Sequence, residues 1–271
     1  MENIQFSKAE TMFITDTPIL TYHQITAEVP PANLRFAVSL NQFKRQMRYL
    51  HENGYASLSL TEMLCRSDSV RSQWRKTFVL TFDDGYENFY TLAYPILRSH
   101  GFTATVFLIT DKIFKQNDPK READNRYLTW EQIELLHKDD FSFGSHTCSH
   151  AMLTKLPRDA IQRELVNSKA CLEARLGQEI PWLYYPYAAS NSEIQNMSQE
   201  IGYRAAFGGS LGSYSTFNIR RQFCLRGESL LAFAFKLNCF FRTFERLRND
   251  TKIGWFLRKI KHGVVFSGRL K

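Results

Sequence analysis

The chain has 271 residues, 44% hydrophobic and 23% charged, with a formal net charge of +8. This composition excludes a disordered or low-complexity chain and is ample for a core in one large domain or two small ones. The charge excess sits at one end: residues 236–271 hold 10 Lys and Arg against 2 Asp and Glu, which leaves residues 1–235 neutral with 25 of each sign.

Residues 1–18 carry charges and Thr but no apolar run of the kind a secretory signal needs. The five cysteines, Cys65, Cys148, Cys171, Cys224 and Cys239, are odd in number and lack paired spacing. Both features predict a cytoplasmic protein with reduced thiols. Residues 18–23 read as a first strand with a polar end. Ser39 and Gln42 have capping-box spacing and open a helix carrying Phe43, Met47 and Leu50, stopped by Gly54. Ser59 and Glu62 repeat the pattern before a shorter helix. Residues 78–82 form an unbroken apolar strand, the kind buried on both faces of a parallel sheet. A helix over 90–100, closed by Gly101, leads to a strand over 103–109. Residues 111–126 are charged and read as an exposed loop. Thr129 and Gln132 cap a helix carrying Ile133, Leu135 and Leu136, and the strand leading to His146 follows.

Residues 157–176 give the clearest helix: Pro157 suits its first turn, Ile161, Leu165, Leu172 and Leu176 share a face, and Gly177 ends it. A strand over 182–185 breaks at Pro186. A helix over 192–201 ends at Gly202, and a strand over 204–207 follows. Strands alternating with helices predict an α/β barrel or a doubly wound sheet. His23, Asp83, Asp84, His146 and Tyr187 all fall at strand C-terminal ends, which favours a barrel with one shared mouth.

Two segments carry the chemistry: Thr81-Phe82-Asp83-Asp84-Gly85 and Ser145-His146-Thr147-Cys148-Ser149-His150. Asp-Asp-Gly by itself reads as a solvated turn. A His-x-x-x-His by itself reads as a surface pair or as core histidines, and its spacing puts both rings on one face if the segment turns helically. Each segment here follows an apolar strand, so carboxylate and imidazoles can meet at one rim. One carboxylate and two imidazoles are a common set for a divalent metal with open positions, and the second carboxylate is then free to act as a base on water. His23, the aromatic run Tyr184-Tyr185-Pro186-Tyr187, Arg220 and Arg221 each read alone as structural or solvated.

Together these segments resemble the polysaccharide deacetylases of carbohydrate esterase family four, which share the NodB homology domain. The match covers residues 18–233 and is carried by Ile-Leu-Thr-Tyr-His, Thr-Phe-Asp-Asp-Gly-Tyr, Leu-Thr-Trp-Glu-Gln, Ser-His-Thr-Cys-Ser-His, residues 164–177 and Tyr-Pro-Tyr. It is nearest to the branch acting on poly-N-acetylglucosamine polymers. The resemblance implies an α/β fold, a distorted (β/α) barrel over residues 1–235, and hydrolysis of an N-acetyl amide on a sugar. Asp84, His146 and His150 match the metal ligands, with zinc expected ahead of cobalt, nickel or iron. Asp83 matches the general base, His23 the leaving-group acid of this branch, Arg221 an arginine that orients the base, and the backbone N–H of Tyr187 an oxyanion donor. The late Leu-x-x-His of other members is missing, Ala188 stands where a Gly is expected, and residues 236–271 have no counterpart.

The expected partner is an N-acetylated saccharide, free or lipid-linked, with no nucleic acid. The basic, aromatic residues 236–271 suit an anionic membrane surface on its cytoplasmic face, although residues 230–241 could equally close the barrel as a core helix. Two alternatives remain: a deformylase of a lipid-linked amino sugar, and an inactive sugar-binding domain, against which the intact Asp83 speaks.

Overall fold

The structure, a computed structural model, describes residues 17–64, 76–113, 126–209 and 215–238. Most of the expected loop at 111–126, Cys65, and the basic segment beyond residue 238 lie outside them. Eight parallel strands share one sheet: β1 Ile19–Tyr22, β4 Ala56–Leu58, β5 Thr77–Phe82, β6 Thr105–Leu108, β7 Ser142–Ser145, β8 Trp182–Tyr184, β9 Ala205–Phe207 and β10 Gln222–Phe223. Their order is β10-β1-β5-β6-β7-β8-β9, with β4 beside the start of β5. A second, two-stranded sheet joins β2 Gln24–Thr26 to β3 Ala37–Ser39. Ile219 bridges to Phe207 of β9 while β10 pairs with β1, so residues 219–223 span the gap between the outer strands. The sheet is therefore a curled, irregular (β/α) barrel and not a doubly wound sheet.

Strand parity decides what enters the barrel, because successive side chains point to opposite faces. Ile19, Val79, Phe107, Trp182, Tyr184, Ala205 and Phe207 pack in one inner cluster. Their neighbours Leu20, Leu80, Val106 and Phe143 pack outward under the helices. Carrying the parity past the strand ends sends His23, Asp83 and His146 inward. Gly144 falls on the same face: a Cβ there would lie 2.6 Å from the Phe107 ring, so the glycine is what lets Phe107 fill the interior.

The helices follow their caps. In α1, Leu40–Glu52, the Ser39 side chain accepts from the Gln42 N–H, but the Gln42 amide donates to the Leu225 carbonyl instead of closing the box. In α2, Leu60–Leu64, both halves of the Ser59–Glu62 box form. The same is true of Thr129–Gln132 at α4, Trp130–Lys138, although Leu135, expected on its apolar face, is 53% exposed. The expected helix over 90–100 opens as a π turn, Phe89–Ala93, before α3, Tyr94–Ser99. Pro95 has no N–H for the carbonyl four residues back, which accounts for the change of pitch. In α5, Arg158–Leu176, Pro157 is the extended cap and not the first helical residue, and Gly177 closes the helix at φ 64°. In α6, Ser192–Glu200, the cap is Asn191.

The last helix, α7, Leu230–Leu237, covers most of the expected stretch 230–241 and has one buried and one exposed side. Phe233 and Leu237 are buried against the barrel, whereas Leu231 and Phe235 are 75% and 59% exposed. Lys236 is not part of a solvated basic end: its ammonium donates to the Phe223 carbonyl at 2.6 Å and pairs with Glu228. No helix among the described residues is long and apolar enough to cross a membrane.

Candidate metal centre

Asp83 ends β5 on the inner face, 1% exposed. Arg221 binds it with both terminal nitrogens, Nη1 to Oδ1 at 2.7 Å and Nη2 to Oδ2 at 3.0 Å. The guanidinium is itself fixed: Nη1 also donates to Thr81 Oγ1 at 3.1 Å, and Cζ lies 3.7 Å from the centre of the Tyr184 ring. Thr81 is held in turn by Thr21 across the β1–β5 ladder at 2.9 Å. A forked, charge-assisted pair of this kind fixes the plane of the carboxylate. His23 Nε2 stands 3.6 Å from Asp83 Oδ2, too long for a direct hydrogen bond. The His23 ring stacks on Phe36 at 4.8 Å and lies 5.8 Å from Phe223, and among the described residues its Nδ1 has no hydrogen-bond partner. Burial drives the His23 pKa down, outweighing the opposite pull of the Asp83 charge.

Asp84 points the other way. Its Oδ1 lies 3.3 Å from His146 Nε2 and 3.5 Å from His150 Nε2, and the three ligand atoms all fall within 4.8 Å of one another. His146 Nδ1 meets the Tyr184 carbonyl at 2.8 Å. A carbonyl only accepts, so Nδ1 carries a proton and Nε2 faces the carboxylate. Burial pushes the Asp84 carboxyl up, but the hydrogen bond and charge of His146, then His23 and His150, hold it at about 2, so its oxygens are charged at neutral pH. Lone pairs that face one another in this way can share a divalent cation. Burial, with His146 next, brings the His150 pKa down to about 4, so His150 offers a free nitrogen at neutral pH. The donor set fits a divalent metal.

The histidine segment is not helical, contrary to one condition of the spacing argument. Residues 146–150 form a loop in which Thr147 and His150 have φ of 67° and 64°. What folds it is Glu164 of α5, whose Oε2 accepts from the N–H groups of Cys148 and Ser149 at 2.9 Å each while Oε1 accepts from Ser149 Oγ. Thr147 Oγ1 accepts from the His150 N–H at 3.2 Å. Sequence reasoning gave Glu164 no role; its one signal was its place at the start of the segment 164–177 that carries the family resemblance. Cys148 is packed here as well, its thiol pushed up to about 11 by burial and partly restrained by Thr110.

Positive φ at non-glycine residues marks the site. Of six such residues among those described, Asp84, Thr147, His150, Tyr187 and Ala188 lie in the three loops around the candidate ligands, and Asp140 lies elsewhere. Strain of this kind concentrates at functional sites. At Asp84 the next residue shares it: Gly85 has φ 75°, and a Cβ there would meet Leu108 at 2.8 Å. Tyr187 and Ala188 adopt φ of 59° and 55°. The alanine fits because its Cβ occupies the space beside Gly209, where an added Cβ would come within 2.8 Å of it. The Tyr187 ring, 60% exposed, lies 4.8 Å from that of His150. All seven residues expected at the site thus border one mouth, and Arg221, not Arg220, is the arginine that enters it.

A sequence profile of the family described as polysaccharide deacetylase matches residues 71–206. The chain belongs to the polysaccharide deacetylase family. Among its relatives, YxkH of Bacillus subtilis (strain 168) is 31% identical over 187 residues, which are 69% of this chain and 62% of that protein. The poly-beta-1,6-N-acetyl-D-glucosamine N-deacetylase of Staphylococcus aureus (strain MRSA252) is 27% identical over 180 residues, 64% of this chain and 61% of the relative. The chain thus spans less than two thirds of either protein. Among solved structures, the Streptococcus pyogenes deacetylase PplD in complex with acetate superposes with a TM-score of 0.71 and 26% identity, covering 82% of this chain and 98% of that one. IcaB from Ammonifex degensii shares the fold with a TM-score of 0.66 and 21% identity, over 82% and 97% of the two chains.

Proposed function

We propose that this polysaccharide deacetylase family member is a metal-dependent hydrolase that removes the acetyl group from an N-acetylated amino sugar of a polysaccharide, with zinc on Asp84, His146 and His150. The observation that carries the reading is the pairing of that ligand set with a second carboxylate, Asp83, held in a fixed plane by Arg221 and standing 3.6 Å from His23. A sugar-binding domain has no use for a base locked in this way. The named activities of the relatives and the acetate bound to PplD support the same reading.

A divalent cation at this site supplies a Lewis acid that polarises the amide carbonyl and acidifies water near neutral pH. Asp83 accepts the proton of the attacking water, and Arg221 keeps its oxygens aimed as it does so. The Tyr187 N–H lies in the loop facing the ligands and is assigned to the developing oxyanion. The amine leaves poorly unless protonated. His23 Nε2, 3.6 Å from Asp83 Oδ2, is placed to take up the proton that Asp83 receives from water and pass it to the departing nitrogen. Water adds to the acyl carbon, the C–N bond breaks, and acetate and a sugar amine leave.

Incubating the zinc-loaded protein with free and lipid-linked N-acetylglucosamine oligosaccharides tests the reading. Acetate and primary amine should appear in equal amounts. Formate from an N-formyl substrate alone would replace the proposal with a deformylase, and binding without any release would replace it with a lectin-like role. His23→Ala should slow an amide substrate more than an activated phenyl acetate, whose leaving group needs little protonation; equal losses would remove His23 from the acid role.

A further inference from the structure

Six of the nine large hydrophobic side chains that stand exposed among the described residues come from two short segments: Val29, Leu34 and Phe36 from the β2–β3 loop, and Leu230, Leu231 and Phe235 from α7. These segments are far apart in sequence but tied together. Arg226, at the approach to α7, donates through Nε to the Pro30 carbonyl at 2.6 Å and through its backbone N–H to the Arg35 carbonyl at 3.0 Å. The ring of Phe36 lies 5.4 Å from that of Phe223, whose carbonyl holds Lys236 of α7. Scattered exposed leucines need no explanation, but clustered ones with one fixed backbone do. Val29 is 75% exposed and Leu231 equally so. The cluster borders the mouth, because Phe36 is also the residue stacked on His23.

We propose that this face, the tip of the β2–β3 loop together with the outer side of α7, docks on the surface of an anionic lipid bilayer and turns the barrel mouth toward it. Charge decides the partner. On the loop itself Arg35 and Glu28 offset one another. Residues 239–271, which follow α7 directly, hold nine Lys and Arg against two acids. That charge draws the chain to anionic headgroups, each basic residue near the surface adding about 1 kcal/mol, while the apolar side chains enter the headgroup boundary. A protein partner would need no such excess, and a span is ruled out for α7 by its length of 8 residues.

The test uses the full chain and vesicles of phosphatidylcholine with or without phosphatidylglycerol. The protein should sediment with the anionic vesicles, less so as salt rises, and weakly with the neutral ones. Leu231→Ser with Phe235→Ser, and separately Val29→Ser with Leu34→Ser, should each weaken binding on the order of tenfold, since a partly inserted pair contributes about 1.4 kcal/mol. Thermal melting and turnover of a soluble substrate should stay as in the parent, so a failure here leaves the hydrolase reading standing. Hydrogen exchange on the unmodified chain gives a second reading: vesicles should protect 27–36 and 230–238. No sedimentation, unchanged binding of both variants, protection confined to 239–271, or a lipid-free dimer that the variants split would each overturn the proposal, the last by making a second copy the occupant.

Discussion

Asp83 and Asp84 leave the same strand side by side, and the structure holds them by opposite means. Asp83 donates its N–H to the Tyr22 carbonyl of β1 and gives both oxygens to Arg221, which is buried among Tyr184, Phe107 and Phe207. Asp84 sits at φ 71° in a turn and faces the His146 and His150 ring nitrogens of another strained loop, with the Tyr86 side chain hydrogen-bonded to it as well. The side proposed to act as base is therefore built by the barrel and is complete without any cation. The side proposed to hold the metal is assembled from two loops, around Asp84 and over residues 146–150, whose backbone strain has to be offset by surrounding contacts. One half supplies rigidity and the other supplies an opening.

The largest effect expected from this contrast is chemical. Asp83→Asn keeps an acceptor for Arg221 but no longer takes a proton, so turnover should fall on the order of 10²–10⁴-fold or more while bound zinc, measured by elemental analysis, stays near stoichiometric. Loss of metal in that variant would mean that Asp83 is a ligand and that the two sides are one. His146→Ala should do the reverse, losing most of its zinc with the fold kept.

Next comes stability. Arg221→Met strands a buried carboxylate, and breaking a buried pair from one side costs about 3–5 kcal/mol. Chelating the metal from the parent should lower the melting temperature much less, because the ligand side contributes little to the core. Denaturant titrations of the two samples compare the sides directly. A larger loss on chelation would reverse the contrast drawn above.

Glu164 sharpens the comparison from outside the site. Its carboxylate touches neither the base nor the ligands but shapes the loop between His146 and His150. Glu164→Gln can keep one oxygen for the Cys148 and Ser149 N–H groups but loses the charge and sets an amide NH₂ where Ser149 Oγ donates, and should weaken zinc affinity about 10–100-fold, the usual range for groups that orient ligands. The melting temperature of the zinc-free protein should move little. If melting falls and affinity does not, Glu164 serves the fold alone.

Much of this was legible from the residues. The unbroken apolar strand before Asp83, the box at Thr129 and Gln132, and the α5 periodicity closed by Gly177 all carry local signals of the kind that survive folding. The strands β2, β3, β4 and β10 were not foreseen, because at two or three residues they show no alternation. The pairing of Arg221 with Asp83 spans 138 positions and came only from the family resemblance; nothing local to Arg221 distinguishes it from Arg220. The two rings of the histidine pair do meet beside Asp84, but through a strained loop tied to Glu164, a long-range contact that spacing cannot reveal.

The smallest effect concerns Ala188, which stands at φ 55° where relatives of this type are expected to carry glycine. A left-handed alanine costs about 1–2 kcal/mol in backbone strain, and part of that is returned by the contact of its Cβ with the space over Gly209. Ala188→Gly removes both and frees the unfolded chain, so the net change in stability should be within about 1 kcal/mol, and turnover should hold if Tyr187 keeps its place. Gly209→Ala should be the worse change, since its added Cβ would stand 2.8 Å from that of Ala188 and push the loop carrying Tyr187. Combining the two substitutions should restore most of what Gly209→Ala loses, because the glycine at 188 vacates the space. Melting and turnover of the single and double variants measure this coupling. Additive losses would show that the two residues do not share that space and that the Tyr187 loop is positioned from elsewhere.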